Sequence, residues 1–130
     1  MKFYSRLQVY KASNLTFDPS TGEGRSYEWY SIARRFDGVQ VLNTYRYSVT
    51  TGKHIRKLEN LFSDLRLECL FIEAPRGLQD LDAAIEFYRD KIATLEAEIK
   101  KPRTNKAKNE ERKERIKHFQ AMIKTIKALQ

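Results

Sequence analysis

Cysteine and histidine are scarce in this chain, whose 130 residues include one Cys and two His. The lone Cys69 excludes an internal disulfide and a cysteine-based zinc site, as is common in proteins of a reducing cytosol. His54 and His118, taken with Cys69, do not have the spacing of a metal site. The sequence therefore predicts no cofactor and no bound metal.

Long apolar runs are also missing. None approaches the roughly 20 residues that a membrane-spanning helix needs, and Met1–Arg6 lacks the apolar segment of a signal peptide. These absences predict a cytoplasmic (intracellular) protein without a membrane partner. The hydrophobic fraction of 41% is nevertheless high enough to form a core, which excludes a fully disordered chain.

The net charge of +8 is distributed unevenly. Residues 1–65 carry +4, residues 66–99 carry −4 and residues 100–130 carry +8. A sign change of this kind indicates an architectural boundary. The basic end segment also follows an acidic one, so part of its charge is expected to face acidic side chains rather than an external ligand.

The first half of the chain predicts an antiparallel β-meander of three to four strands. Apolar and polar residues alternate over Phe3–Val9, which is the period of a half-buried strand. Turn-forming residues predict a loop over residues 18–24, before an aromatic strand over residues 27–35. Asp37-Gly38 predicts a tight hairpin into a return strand over residues 39–49, because both residues tolerate positive φ.

A helix is predicted to pack on this sheet. Thr50 or Thr51 can cap it, and apolar residues at three- and four-residue spacing from Ile55 to Leu65 form one stripe. A short apolar run over residues 67–72 predicts a further strand, which Pro75-Arg76-Gly77 ends.

The C-terminal half predicts a helical hairpin. Apolar residues from Leu78 to Ile99 alternate at spacings of three and four, an unbroken heptad pattern. Pro102 ends this helix, and a second helix with an apolar face over residues 116–129 returns antiparallel to it. The fold class is therefore α+β: an N-terminal antiparallel meander with one packed helix (residues 1–76), then a coiled-coil-like antiparallel hairpin (residues 77–130). We call the apolar residues of this heptad pattern the seam. Alternatively, the seam pairs two hairpins into a homodimer.

Two basic segments are candidate anion-binding sites. The first joins a strand rich in Arg and Tyr to the start of the first helix, where the helix dipole favours an anion such as phosphate. The second is the tip of the hairpin, where five cations occur within nine residues without an acid. The predicted contacts are Arg34, Arg46, Thr51, Lys53, His54, Arg56 and Lys57 in the first region and Lys100, Lys101, Arg103, Lys106 and Lys108 at the tip. Solvation of these charges, without any ligand, is the alternative interpretation.

Aromatic residues are concentrated before residue 50. Tyr30, Tyr45 and Tyr47 are predicted as stacking or interface residues, because exposed aromatics beside Arg stack unpaired bases or anchor protein interfaces. Packing within the sheet is the competing explanation.

The function predicted from these patterns is non-enzymatic binding of DNA or RNA through phosphate contacts. The first alternative is an adaptor or inhibitor that docks on an acidic protein surface of a host or nucleic-acid-processing protein. In size and plan the chain resembles small phage-encoded accessory proteins, although no motif identifies a family. The second alternative is a phosphodiester-processing enzyme using Tyr47 and His54.

Overall fold

A computed structural model of the chain describes residues 10–130 except residues 13, 28 and 104. The strand predicted over Phe3–Val9 lies outside the described residues. The chain divides into two compact units, one ending at Asp80 and the other comprising Leu81–Gln130.

The first unit contains a sheet with six strands among its described residues. These are β1 (Tyr10–Ala12), β2 (Leu15–Asp18), β3 (Glu23–Ser26), β4 (Tyr30–Phe36), β5 (Val39–Asn43) and β6 (Leu70–Ile72). Strands β1 to β5 form an antiparallel meander, whereas β6 pairs with β5 in parallel. Helix α1 (Val49–Asp64) makes the connection between β5 and β6. The predicted α+β class, with a meander and one helix, is confirmed.

The loop predicted over residues 18–24 is wrong in its second part, because Glu23–Ser26 pairs with β2 as a strand. Gly24 signals a turn in the sequence, but here it lies under the helix. A Cβ atom on Gly24 would come within 3.0 Å of the Leu58 side chain. The glycine is therefore explained by the close approach of α1 to the sheet.

The strands on either side of Asp37-Gly38 are shorter than predicted. The turn itself is confirmed, since Asp37 has φ 50° and Gly38 has φ 82°. Strand β4 begins at Tyr30 rather than residue 27, because Tyr27 adopts φ 57° in a preceding turn. Strand β5 ends at Asn43 rather than residue 49.

The apolar stripe of α1 covers the sheet as the sequence predicts. Ile55, Leu58 and Phe62 are buried against residues of β2, β4 and β5. The Phe17 and Phe62 rings meet edge to face, with centroids 4.9 Å apart. This contact joins α1 to β2.

Asn43 closes the sheet where β5 leaves β4. Its buried side-chain Oδ1 accepts hydrogen bonds from the backbone N–H groups of Ala74 (2.9 Å) and Tyr45 (3.0 Å). Its Nδ2 donates to the carbonyl oxygen of Ala74 (2.9 Å) and to the hydroxyl of Tyr30 (3.2 Å). The side chain thereby links the end of β5 to Ala74, two residues beyond the end of β6.

Helices α2 (Leu81–Lys100) and α3 (Lys106–Leu129) form the second unit and confirm the predicted hairpin. They run antiparallel, since the Gln130 side chain donates to the Asp82 carboxylate (2.7 Å) at one end. Near the middle, the rings of Tyr88 and Phe119 are 5.7 Å apart. In the part of the chain that the structure describes, no helix is both long enough and apolar enough to cross a membrane.

The predicted seam begins too early. Leu78 precedes α2, its side chain is buried, and its N–H donates to the carbonyl oxygen of Ser31 in β4 (3.0 Å). Leu78 therefore pairs with the sheet and does not belong to the helix that carries the heptad pattern. Association of two hairpins into a homodimer stays a prediction.

Candidate functional site

The first candidate site is built at the start of α1. Ser48 has an extended backbone, and its hydroxyl accepts a hydrogen bond from the Thr51 N–H (3.1 Å). Ser48 is therefore the N-cap, and the prediction of Thr50 or Thr51 is wrong. The earlier cap places Gly52 and Lys53 within the first turns of the helix, next to the loop that carries Arg46.

A pocket of about 460 Å³ opens at this helix start. Its described lining residues are Arg46, Ser48, Val49, Gly52, Lys53 and Arg56, and none of them is acidic. The sequence itself has no Asp or Glu between Asp37 and Glu59. We call Arg46, Lys53 and Arg56 the cationic patch, because they bring three positive charges around one pocket.

Two of the predicted Lys and Arg contacts lie outside the described pocket lining. Lys57 is exposed on α1 but is not among the described lining residues. Arg34 is exposed on β4, where its guanidinium lies 5.1 Å from the centroid of the Phe36 ring. The structure therefore brings together three of the predicted cations of this region.

Thr51 and His54 are buried rather than exposed to a ligand. The hydroxyl of Ser26 in β3 lies 2.7 Å from His54 Nδ1, and His54 is 3% exposed. Thr51 Oγ1 accepts from the Ser48 hydroxyl (3.1 Å). Both side chains support the helix start from inside, which explains why polar residues occur on its buried face. The structure does not place His54 at the pocket surface, where the enzyme hypothesis would need it.

The three predicted aromatic residues differ in exposure. Tyr30 is buried, and its hydroxyl donates to the carbonyl oxygen of Ala74 (2.9 Å), so it cannot offer a face to a ligand. Tyr45 is half-buried, whereas Tyr47 is exposed. Sequence reasoning omitted the exposed Trp29, whose ring lies 5.4 Å from that of Tyr47. The signal was present in the aromatic run around Trp29, but the fold was needed to show which rings face outward.

The five cations of the hairpin tip are exposed, although not all of them lie in a loop. Lys100 ends α2, while Lys106 and Lys108 lie in the first turn of α3. Asn105 caps α3 by accepting from the N–H groups of Ala107 (2.8 Å) and Lys108 (3.2 Å).

One tip cation is already paired within the protein. The Lys101 ammonium lies 2.8 Å from the Glu98 carboxylate. The hydrogen bond from Lys101 and the positive charge of Lys101 lower the pKa of the Glu98 carboxyl group. The tip therefore offers less free charge than its sequence indicates.

Cys69 is not poised for chemistry. Burial, reinforced by the negative charge of Glu59, raises the pKa of its thiol to about 12. The thiol is therefore protonated at neutral pH, and a protonated thiol is a poor nucleophile and a poor metal ligand. Within the described residues, no group of three or more His, Cys, Asp or Glu side chains could hold a metal ion.

No family model, curated protein or solved structure gives a significant match to this chain. Functional interpretation therefore depends on the chemistry of the two basic regions and the exposed rings.

Gly52 lines the pocket, so replacing it tests whether a glycine is needed at this position for packing of the fold. A Cβ atom at this helical position would meet Arg46 Cδ at 3.6 Å, an ordinary contact distance. We expect Gly52→Ala to raise the free energy of unfolding by about 0.5–1 kcal/mol, because alanine is the better helix former. Chemical denaturation measures this change.

Gly24→Ala is the matched control. The same methyl group would there lie 3.0 Å from both Ala33 Cβ and Leu58 Cδ1. Overpacking is expected to lower the stability by about 1–3 kcal/mol. If Gly52→Ala instead lowered the free energy of unfolding as much as Gly24→Ala, Gly52 would be retained for packing rather than for keeping the pocket open.

Proposed function

We propose that this protein is a non-enzymatic nucleic-acid-binding protein that contacts phosphate groups through the cationic patch at the start of α1. The observation that carries the proposal is the convergence of Arg46, Lys53 and Arg56 on one pocket whose described lining contains no acid. Clustered cations that neutralise phosphates supply most of the affinity in sequence-independent binding.

The position of the patch adds to its charge. The N-terminal end of a helix carries partial positive charge and unpaired N–H groups, so that cationic side chains there disfavour the helix by a few tenths of a kcal/mol each. Helix α1 has no acidic residue in its first turn to offset this cost. A bound phosphate would offset it, because it is attracted both by the side chains and by the helix end.

The hairpin tip is proposed as a second, weaker contact region. Along α3, Lys113 pairs with Glu110, Lys117 pairs with Glu114, and Arg112 approaches Glu98. Exposed pairs of this kind contribute little stability, but they reduce the charge that α3 presents to a ligand. We therefore assign the proposed contact of this unit to the tip cations.

The test is direct binding of labelled DNA and RNA oligonucleotides of about 20 nucleotides, followed by fluorescence anisotropy. Phosphate contacts predict that affinity falls steeply between about 50 and 200 mM salt and depends little on base sequence. Undetectable binding of every oligonucleotide at low salt would overturn the proposal.

The adaptor or inhibitor hypothesis remains the second candidate, because the exposed Trp29 and Tyr47 are residues that anchor protein interfaces. It predicts that a defined protein co-purifies with the chain from lysate after nuclease treatment. Nucleic-acid binding predicts instead that co-purifying material is lost when nuclease removes the bridging nucleic acid.

A further inference from the structure

Two exposed aromatic rings stand side by side in the first unit. Trp29 is 51% exposed and Tyr47 is 56% exposed, and their centroids lie 5.4 Å apart in an edge-to-face arrangement. We call these two residues the ring pair. Exposed Trp and Tyr rings are enriched among the residues that anchor a binding partner.

The ring pair is supported from below by a fixed third ring. Tyr30 is buried, with its centroid 5.3 Å from that of Trp29 and 5.2 Å from that of Tyr47. The hydroxyl of Tyr30 is anchored on Ala74. Because the supporting ring is held by the core, the exposed rings lose little freedom when they bind a ligand.

The ring pair adjoins the cationic patch. Tyr47 lies in the chain between Arg46 and Ser48, and both of these line the pocket. Val49, the next lining residue, is 79% exposed. Tyr47 of the ring pair and Arg46 of the cationic patch are thus neighbours in the chain, which suits a ligand that has flat apolar groups joined to anionic ones.

Unpaired nucleotides have this combination of groups. In a single strand the base faces are free to stack on aromatic side chains while the backbone phosphates meet cations, whereas a duplex keeps its base faces stacked internally. An acidic peptide would satisfy the cations, but its carboxylates would leave the rings without a partner.

We infer that the site takes single-stranded nucleic acid, with an unpaired base stacked on a ring of the Trp29–Tyr47 ring pair and neighbouring phosphates held by Arg46, Lys53 and Arg56. This inference rests on the proposed function and specifies its ligand. It adds Trp29, which was not among the sequence-predicted contacts, as a binding residue.

Trp29 is the only tryptophan in the chain, so its fluorescence reports directly on the ring pair. We expect thymidine and uridine oligonucleotides to quench this fluorescence on binding, and a duplex of equal length to bind about ten-fold more weakly without comparable quenching. Comparing the affinities of the thymidine (DNA) and uridine (RNA) oligonucleotides shows which nucleic acid the site prefers.

Variants separate stacking from charge. Trp29→Leu and Tyr47→Leu should each lower single-strand affinity about ten-fold, measured with labelled oligonucleotides, while duplex affinity stays unchanged. Tyr47→Phe keeps the ring and should retain binding. Phe71→Leu removes a ring of similar exposure (52%) on β6, outside the ring pair, and serves as the matched control.

The possible outcomes separate failure of the stacking inference from failure of the proposed phosphate binding. If single strands and duplexes bind equally and Trp29 is not quenched, the stacking inference is overturned while phosphate binding stands. If no oligonucleotide binds at low salt, both fall. If a poly-glutamate peptide binds as tightly as the single strand and quenches Trp29 equally, the surface recognises acidic protein and the inference is wrong.

Discussion

Replacing Asn43 with leucine is expected to lower the free energy of unfolding of the first unit by about 3–5 kcal/mol. Asn43 is completely buried, and its amide bonds both the N–H and the carbonyl oxygen of Ala74. Leucine is similar in size but can form neither bond. The loss therefore comes from unpaired polar groups rather than from a cavity.

The cost is large because two backbone N–H groups, those of Ala74 and Tyr45, donate to the Asn43 side chain. Ala74 is itself buried, so its N–H would lose this acceptor without gaining water, whereas its carbonyl oxygen keeps the Tyr30 hydroxyl and the Gly77 N–H as donors. Each buried group left unsatisfied costs about 1–3 kcal/mol. The Tyr45 N–H also loses its acceptor. The tyrosine lies two residues before Tyr47, so the same substitution is expected to loosen the loop that carries the ring pair.

Urea denaturation followed by Trp29 fluorescence measures this change, because Trp29 belongs to the same unit as Asn43. The matched control is Asn60→Leu, which makes the same substitution at an exposed position of α1 and should be nearly neutral. A loss below about 1 kcal/mol in Asn43→Leu would show that the amide network contributes little to stability.

Removing the cationic patch is expected to have the largest effect on binding. The triple variant Arg46→Gln, Lys53→Gln and Arg56→Gln should weaken single-strand binding at low salt by about 10² to 10³-fold. For three lost phosphate contacts, the slope of log affinity against log salt should decrease by about two. Stability should change little, since all three side chains are exposed.

A control of equal charge is available on α3. Lys117→Gln, Lys124→Gln and Lys127→Gln also reduce the net charge from +8 to +5, but they lie in the other unit and away from the tip. If binding depends on the position of charge, this control should bind nearly as tightly as the parent protein. Equal weakening by both triple variants would mean that only overall charge matters, and that the pocket at α1 is not the site.

Local patterns predicted the elements whose signals are repetitive. The apolar stripe of α1 and the two helices of the hairpin follow from residues at three- and four-residue spacing, a period that only a helix places on one face. The turn at Asp37-Gly38 follows from two residues that tolerate positive φ. The helices and this turn depend on residues that are close together in the sequence, so the sequence alone predicts them.

Long-range contacts account for the predictions that failed. The first two residues of β3 were predicted to belong to a loop because residues 18–24 are dense in turn formers, but Gly24 is needed where Leu58 crosses the sheet. Leu78 was assigned to the heptad seam, whereas its N–H bonds Ser31. Each of these pairings joins residues distant in sequence.

For the candidate site, the sequence by itself determined the chemistry: a basic segment free of acids between Asp37 and Glu59, placed at a helix start beside aromatic residues. Only the tertiary structure decided which of these side chains face outward. It buries Thr51, His54 and Tyr30, and it sets Trp29 beside Tyr47. The physical reason is that charge and helix periodicity are properties of the local chain, whereas exposure depends on which residues from distant strands pack against each side chain.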